Sequence, residues 1–327
     1  MKYMKKDYPL ITIITATYKK FDKLYETMRS VFLQNYPNIE YIICDDGSDN
    51  FPAEEIGSFI KNNKTSNVTD IIVLHSEKNR GTVRNLNNAI KQSHGEYIFM
   101  LSCNDVFYNN NIVNQIADIF IGEQCDVITA SRMIRDSKKN KMMLLPHYFE
   151  RQIIEAQKTA KAQHDLYISE RHLDMASGSV MYYSRRILEE YNYFDENYYL
   201  IEDGPFIEKY LRDHKIRTAY DIIAIDYDLG GVSFAALLNP DSPKNELYNK
   251  DNMRYRFNQR FEEYRSYDYQ IKKILYYSKL RKFEKGAIKR TWTLFKFWDV
   301  SIPNEINRLI RKFNARIDRY IILLRNI

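Results

Sequence analysis

The stretch Gly95-Glu96-Tyr97-Ile98-Phe99-Met100-Leu101-Ser102-Cys103-Asn104-Asp105 predicts a short buried strand that ends in a carboxylate. A turn glycine comes first, four apolar or aromatic residues follow, and small polar residues lead to Asp105. Ligands of open α/β sheets bind beyond the carboxyl ends of the strands, so an acid at this point is placed to meet one. Its oxygens suit Mg²⁺ or Mn²⁺ carrying a diphosphate. Taken alone, Asn-Asp after a strand is more often an ordinary turn.

Strands and helices alternate around this stretch. Runs rich in β-branched residues predict strands at 10–16, 39–44 and 70–74, and helical spacing predicts helices at 21–34, 54–62 and 82–92. Further on, the pattern predicts helices at 111–120, 185–191 and 205–213 and strands at 125–129, 177–183 and 222–227, and it blurs between 142 and 174. The short connections favour a doubly wound α/β fold with a mostly parallel sheet.

The composition is that of a protein from a reducing compartment. The chain has 327 residues, which is enough for one large domain with an appendage or for two modest domains. Its three cysteines, Cys44, Cys103 and Cys125, have neither metal-ligand spacing nor the pattern of a disulfide framework. No run approaches the roughly 20 apolar residues of a membrane span. These features predict a cytoplasmic protein.

Charge is unevenly distributed along the chain. Residues 270–327 carry 15 basic and 4 acidic side chains, whereas the first 269 residues have a net charge of −5. We expect helices at 246–265, 269–298 and 303–327, which form a basic tail after a boundary near residue 245. The tail could be a solvated helical face, and nucleic-acid binding lacks a motif. Aromatic residues interleaved with the basic ones favour a peripheral anchor on the anionic inner face of the cell membrane.

Five motifs occur in one order between residues 8 and 235. They are the first strand running into Thr17-Tyr18, the turn Asp45-Asp46-Gly47-Ser48-Asp49, Asn79-Arg80-Gly81 with Arg84-Asn85, the 95–98 strand running into Asn104-Asp105, and Glu202-Asp203. Each is loose alone, but together they resemble the family 2 glycosyltransferases, inverting enzymes with the GT-A fold. The resemblance implies an α/β, Rossmann-like mostly parallel sheet with a C-terminal helical extension. We therefore expect a GT-A domain at 1–245, with a nucleotide-binding part at 8–106 and an acceptor-side part at 107–245, followed by the tail at 246–327.

The resemblance assigns the donor site residue by residue. Asp46 corresponds to the acid that hydrogen-bonds the nucleotide base. Ala16, Thr17 and Tyr18 correspond to the segment that lines base and ribose. Arg84 is the candidate partner of uracil or the diphosphate.

The metal-binding motif departs from the family pattern. Asp105 matches the family's last acid, which meets Mn²⁺ or Mg²⁺, but Asn104 stands where the family has a ribose-binding acid. An amide can still hydrogen-bond a ribose hydroxyl, so nucleotide binding remains expected. One formal charge fewer predicts weaker metal affinity.

Glu202-Asp203 corresponds to the family's catalytic acid pair, with Asp203 as general base. Inversion is a direct displacement in which the acceptor hydroxyl loses its proton as it attacks, so a base is needed. Read from the residues alone, the pair is equally well a helix N-terminal charge pair.

These assignments predict transfer of a hexose or N-acetylhexosamine from a UDP-sugar to a carbohydrate acceptor, lipid-linked or free, in surface polysaccharide or lipooligosaccharide synthesis. A homo-oligomer is left open. A sugar nucleotidyltransferase is a rival, although residues 17–20 lack the glycine-rich phosphate loop it needs. A catalytically silent, membrane-associated nucleotide-sugar-binding protein is another, and Asn104 keeps it open. Consumption of a UDP-sugar, with and without acceptor, separates the three.

Overall fold

The computed structural model describes residues 8–136, 141–168 and 174–228, together with residues 246, 250, 251, 306 and 309. The predicted domain boundary near residue 245 and nearly all of the basic tail lie outside the described residues. They stay predictions.

Four parallel strands form the first part of the sheet. The strands are β1 (Ile11–Thr17), β2 (Ile39–Asp45), β3 (Val68–His75) and β4 (Tyr97–Met100), and the helices between them are α1 (Leu24–Phe32), α2 (Ala53–Asn63) and α3 (Thr82–Gln92). The strands lie in the order β3-β2-β1-β4. A helix between each pair lets consecutive strands run in the same direction. All four carboxyl ends therefore lie at one edge of the sheet.

The second part continues this sheet with mixed directions. Its elements are β5 (Val106–Phe107), α4 (Ile112–Glu123), β6 (Val127–Asp136), β7 (Lys141–Leu145), α5 (Tyr148–Glu155), α6 (Ala160–Ile168), a 3₁₀ turn (Gly178–Val180), β8 (Met181–Ser184), α7 (Arg185–Glu190), α8 (Asp203–Leu211) and β9 (Arg217–Asp228). The sheet order is β3-β2-β1-β4-β8-β6-β9-β5, with β7 paired to β6. Six of the nine strands run in the direction of β1, because only β5, β7 and β8 oppose it. The predicted α/β fold with a mostly parallel sheet is confirmed.

Alternate strand residues supply two hydrophobic cores, one on each face of the sheet. Ile13 and Phe99 face the core that includes apolar residues of α1 and α4, whereas Ile14 and Ile98 face the core that includes those of α3, α7 and α8. All four side chains are fully buried. Because successive strand residues point to opposite faces, a continuous apolar run is what a strand covered on both sides requires.

The structure differs from the sequence-based element boundaries in the acceptor-side half. The strand predicted at 177–183 begins as the 3₁₀ turn and becomes extended only at Met181. The helix predicted at 205–213 starts two residues earlier, so that Asp203 lies in its first turn. The blurred region after residue 142 contains β7, α5 and α6. None of the helices in the described part of the chain has the length and apolar character of a membrane span.

Candidate active site

The side chain of Asp45, the last residue of β2, stabilises the turn that follows this strand. Its carboxylate accepts the backbone N–H of Ser48 at 2.7 Å and the Ser48 hydroxyl at 2.6 Å. The Nδ1 atom of His75 on β3 lies 2.9 Å from the same carboxylate. With these contacts, and with no exposed surface, Asp45 shapes the loop after β2.

Asp46 joins the loops that follow β2 and β3. Its Oδ1 and Oδ2 atoms accept the backbone N–H groups of Arg80 and Gly81, each at 2.8 Å. Burial raises the pKa of the Asp46 carboxyl above its usual range, against the lowering effect of these two donors. Each carboxylate oxygen has a further lone pair, so the geometry is compatible with the predicted bond to a nucleotide base.

The end of β1 connects this loop to the loop after β4. Thr17 accepts the backbone N–H of Asp46 at 3.0 Å, and Ala16 accepts that of Cys103 at 3.3 Å. Thr17 is buried, whereas Tyr18 is 40% exposed, with Lys19 Nζ 5.1 Å from the centre of its ring. The residues predicted to line base and ribose therefore lie between Asp46 and the Asn104-Asp105 turn.

Hydrogen bonds with α1 stabilise the Asn104-Asp105 turn. Asn104 has a left-handed backbone, with φ of 98°. This conformation is uncommon outside glycine, and asparagine is among the residues that tolerate it. Thr27 of α1 accepts the Asn104 N–H at 3.2 Å, and its hydroxyl donates to the Asp105 carbonyl at 2.9 Å. Asp105 itself is only 3% exposed.

Asp203 is fixed by the 3₁₀ turn. Its Oδ2 atom accepts the backbone N–H of Gly178 at 2.8 Å, and its Oδ1 atom accepts that of Gly204 at 2.7 Å. A Cβ atom at Gly178 would stand 2.6 Å from Glu202 Oε1. The backbone at Gly178 therefore lies close to both side chains of the acid pair.

Sheet pairing places the acid pair at the same edge as the donor-side loops. β8 runs antiparallel to β4, with Phe99 opposite Tyr182 and Tyr97 opposite Ser184. The start of β8 is therefore next to the carboxyl end of β4. The 3₁₀ turn precedes β8 and holds Asp203 at the start of α8, so Asp203 lies at the same edge as the loops of Asp46 and Asp105.

Tyr199 links the acid pair to the Asp46 loop. Its carbonyl accepts the N–H of Val83 at 3.3 Å, and its hydroxyl donates to the side chain of Asn79. Gly81 has φ of 92°, and a Cβ there would stand 2.6 Å from the Tyr199 carbonyl oxygen. The loop that leads into Glu202-Asp203 thus packs directly on the turn that Asp46 holds.

Glu202 holds its proton more tightly than an ordinary glutamate does. Burial raises the pKa of Glu202 to about 8, and the neighbouring charge of Asp203 contributes to the same shift. Two neighbouring carboxylates withdrawn from water cannot both ionise easily. At neutral pH, Glu202 therefore carries a proton.

Arg84 contacts an acid outside the predicted set. Its Nε atom is 3.6 Å from Glu196 Oε2. It lines a cavity of about 730 Å³ between α3, residues 191–197 and α8, which contains none of the predicted acids in its wall. Two cations contact the Asp46 loop: Arg80, whose backbone N–H donates to Asp46, and Lys19, whose Nζ atom is 3.8 Å from Asp49. The role predicted for Arg84 stays a prediction.

The donor set agrees with a cation shared between protein and substrate. Among the described residues, no three His, Cys, Asp or Glu side chains form a metal-binding group. Mg²⁺ and similar ions are usually held by one or two carboxylates together with substrate phosphates, so a full protein cage is not required. Asp105, with the Asn104 amide beside it, would supply the protein ligand.

Two contacts near the site could not be predicted from the sequence, because each joins segments that are far apart in the chain. Thr27 lies in the middle of a helix, and nothing in its neighbourhood signals contact with residues 104 and 105. Asp251 accepts the backbone N–H groups of Tyr199 and Leu200 at 2.8 and 2.6 Å. It lies beyond the predicted boundary near 245 and is a single acid in a charged stretch.

A parallel sheet whose acid-bearing loops gather at one edge, extended by an antiparallel second half, is the architecture of GT-A glycosyltransferases. The model for Glycosyl transferase family 2 matches residues 12–192, more than half of the chain, so the protein belongs to that family.

Sequence relatives match the chain over part of their length. The Escherichia coli UDP-Glc:alpha-D-GlcNAc-diphosphoundecaprenol beta-1,3-glucosyltransferase WfaP is 36% identical over 107 residues, which cover 33% of this chain and 40% of that protein. The poly-beta-1,6-N-acetyl-D-glucosamine synthase of Staphylococcus epidermidis is 31% identical over 126 residues, which cover 38% of this chain and 29% of that protein. The matched region thus spans less than half of either relative.

Solved structures resemble the chain along most of its length. The S. aureus TarS 1-349 chain in complex with UDP aligns with a TM-score of 0.54 and 16% identity, covering 92% of this chain and 91% of that one. The mannosyltransferase PcManGT from Pyrobaculum calidifontis, in complex with GDP-Man and Mn²⁺, aligns with a TM-score of 0.51 and 13% identity, covering 93% and 88%. At these identities the likeness is one of fold.

Proposed function

We propose that the protein transfers a hexose or N-acetylhexosamine from a UDP-sugar to a carbohydrate acceptor, with inversion at the anomeric carbon. The observation that carries this proposal is the gathering of Asp46, Asp105 and Asp203 at one edge of the sheet. A donor-binding acid, a metal-ligating acid and a proton acceptor must lie close together for one displacement. The names of WfaP, which contains UDP-Glc, and of the TarS complex with UDP support a UDP-sugar donor.

The donor binds across the ends of β1, β2 and β4. Asp46 hydrogen-bonds the base, Ala16, Thr17 and the exposed ring of Tyr18 line base and ribose, and Asn104 hydrogen-bonds a ribose hydroxyl. Arg84 meets the uracil or the diphosphate. A bound Mn²⁺ or Mg²⁺, held by Asp105 and the diphosphate, would neutralise the charge that grows on the leaving group.

Asp203 accepts the proton of the attacking acceptor hydroxyl. The N–H groups of Gly178 and Gly204 fix its carboxylate before substrate arrives. Glu202, which holds its proton at neutral pH, avoids a second charge beside the base. Direct displacement follows, because the base stands on the acceptor side and the leaving diphosphate on the donor side.

The acceptor is a glycan of the cell surface, lipid-linked or free. The name of WfaP contains alpha-D-GlcNAc-diphosphoundecaprenol, and the name of the Staphylococcus epidermidis relative contains poly-beta-1,6-N-acetyl-D-glucosamine. The enzyme works on the inner face of the cell membrane, where the basic tail predicted at 246–327 attaches it to anionic lipid.

A donor screen tests the proposed function. Thermal shifts with UDP-, GDP-, CDP- and dTDP-sugars in Mn²⁺ identify the nucleotide, and release of nucleoside diphosphate is then measured with and without acceptor oligosaccharides. We expect stabilisation by UDP-sugars and acceptor-dependent release of UDP, lost in Asp203→Asn. Binding without any turnover would instead favour the silent binding protein, and pyrophosphate formation from UTP and a sugar phosphate would favour the nucleotidyltransferase.

A further inference from the structure

A buried arginine lies directly behind the turn that holds Asp203. Arg132 is on β6, three residues after Thr129, which pairs with Met181 at the start of β8. Its side chain is only 13% exposed. Since β6 runs in the direction of β4, Arg132 lies near the edge of the sheet that carries the acid loops.

The guanidinium group of Arg132 has a partner on each side. Its Nη1 atom donates to the hydroxyls of Ser177 and Ser179, at 3.0 Å for Ser179. Its Nη2 atom donates to both carboxylate oxygens of Asp174, at 3.1 and 3.0 Å. The ring of Tyr227 lies 5.0 Å from the guanidinium carbon.

This arrangement needs an arginine. A planar fork of N–H groups can contact a carboxylate bidentately and two hydroxyls at the same time, whereas an ammonium group has a single point of charge. Withdrawing the ion pair from water is costly unless most donors and acceptors are satisfied. The position of Ser177 and Ser179 is therefore tied to a rigid group.

The two serines flank the residue that contacts the acid pair. Gly178 stands between them, and its N–H donates to Asp203 Oδ2 at 2.8 Å. A displacement of either serine would move this N–H. Arg132 therefore acts on the proposed base indirectly, through the backbone of residues 177–179.

We propose that Arg132 is a positioning residue for sugar transfer. Its guanidinium group hydrogen-bonds both serines beside Gly178 and so fixes the Gly178 N–H that orients Asp203. This inference rests on the proposed role of Asp203 as general base. Misplacement of a reacting group by about 1 Å can cost on the order of 100-fold in rate. We therefore expect the effect in kcat, since Arg132 acts on Asp203 through the backbone of Gly178.

Two variants test the inference from opposite ends. Arg132→Gln removes the fork but leaves Asp174 buried without its cation, which can impair folding. The double variant Ser177→Ala and Ser179→Ala keeps the Arg132–Asp174 pair and removes only its link to the turn. Arg135→Gln is the matched control, because Arg135 lies on the same strand and pairs with Asp226 at the surface.

We expect the double serine variant to lose about 10- to 100-fold in kcat with KM for donor and acceptor within about twofold. Thermal unfolding should show it folded, and Arg135→Gln should keep the wild-type kcat. Adding Arg132→Gln to the serine variant should cost little more, because all three side chains act through one contact.

Two results would overturn the inference while the wild-type enzyme is active. One is a wild-type kcat in the double serine variant. The other is a combined variant whose loss in kcat equals the product of the losses in Arg132→Gln and in the double serine variant. A wild-type protein that transfers no sugar from any donor would overturn the proposed function, and this inference with it. The two failures are thus distinguished by the wild-type assay alone.

Discussion

At the scale of single residues, the two members of the acid pair, Glu202 and Asp203, are expected to respond differently to substitution. Glu202 carries a proton at neutral pH, so glutamine closely mimics its protonated side chain, whereas Asp203→Asn removes the proposed proton acceptor. We expect Glu202→Gln to keep kcat within about tenfold at pH 7 and Asp203→Asn to lose at least about 100-fold. Initial rates with a saturating donor check this. Equal losses in the two variants would show that the carboxylate of Glu202 also takes part.

The raised pKa of Glu202 also has a consequence for stability. Its folded pKa of about 8 lies above the ordinary value of 4.5. The folded state therefore keeps a proton that the unfolded chain loses, and the free energy of unfolding falls as pH rises from about 4.5 to about 8. We expect this loss to be on the order of 2 kcal/mol, less than the full pKa shift implies, because water still reaches the half-buried Glu202.

Glu202→Gln removes this titration, so its stability should fall less over the same pH range. Denaturant unfolding at pH 5 and pH 8.5 measures the difference, with the exposed Glu55→Gln as control. Identical pH dependence in wild type and Glu202→Gln would contradict the raised pKa.

Asp105 carries the metal prediction. With a single carboxylate beside the Asn104 amide, the cation depends on the donor's diphosphate for further ligands, so its affinity should be low without donor. We expect a chelator to abolish transfer, Mn²⁺ or Mg²⁺ to restore it, and Asp105→Asn to raise the metal concentration needed at least about tenfold. Full activity in the presence of a chelator would reject the metal requirement.

At the scale of structural elements, the site is a set of loops that hold one another. Asp46 ties the loop after β2 to the loop after β3, and Tyr199 ties the latter to the segment that enters α8. Asp251 holds that segment from the opposite side through the N–H groups of Tyr199 and Leu200. The sequence beyond residue 245 therefore contributes at least one contact to the neighbourhood of the acid pair.

We expect Asp251→Ala to lower both stability and kcat. It leaves two backbone N–H groups without their acceptor, at a cost of about 1–3 kcal/mol, and it loosens the loop leading into the acid pair. Asp251→Asn retains an acceptor oxygen and should lose less. Unfolding and transfer assays check both variants, with the adjacent exposed Lys250→Ala as control. Wild-type behaviour of Asp251→Ala would show the contact to be dispensable.

At the scale of the whole molecule, charge separates the chain into an acidic catalytic part and a basic end. The 15 basic side chains of residues 270–327 attract anionic lipid at about 1 kcal/mol each when they lie near the surface. We expect the full chain to bind vesicles containing anionic lipid and to be released by salt, and a chain ending at residue 269 to stay in solution. Cosedimentation measures both. Unchanged binding after truncation would place the membrane contact elsewhere.

Local patterns were sufficient for the elements of the nucleotide-binding part. The helix predicted at 82–92 is the observed α3, and the strands at 39–44 and 70–74 differ from β2 and β3 by two residues or fewer at each end. These segments combine strong periodicity with clear turn residues. The 3₁₀ turn before β8 could not be predicted in this way, because Gly178 departs from extended backbone to approach two acids more than 20 residues away.

The sequence by itself determined the fold class, the family and the acids at the strand ends, because apolar periodicity and short motifs depend on residues close together in the chain. Only the tertiary structure decided which acids brace loops, as Asp45 does, and that Glu202 keeps its proton. It alone brought Thr27, Arg132 and Asp251 to the site. Burial and hydrogen bonding between distant segments set these properties, and neither is encoded in any local stretch.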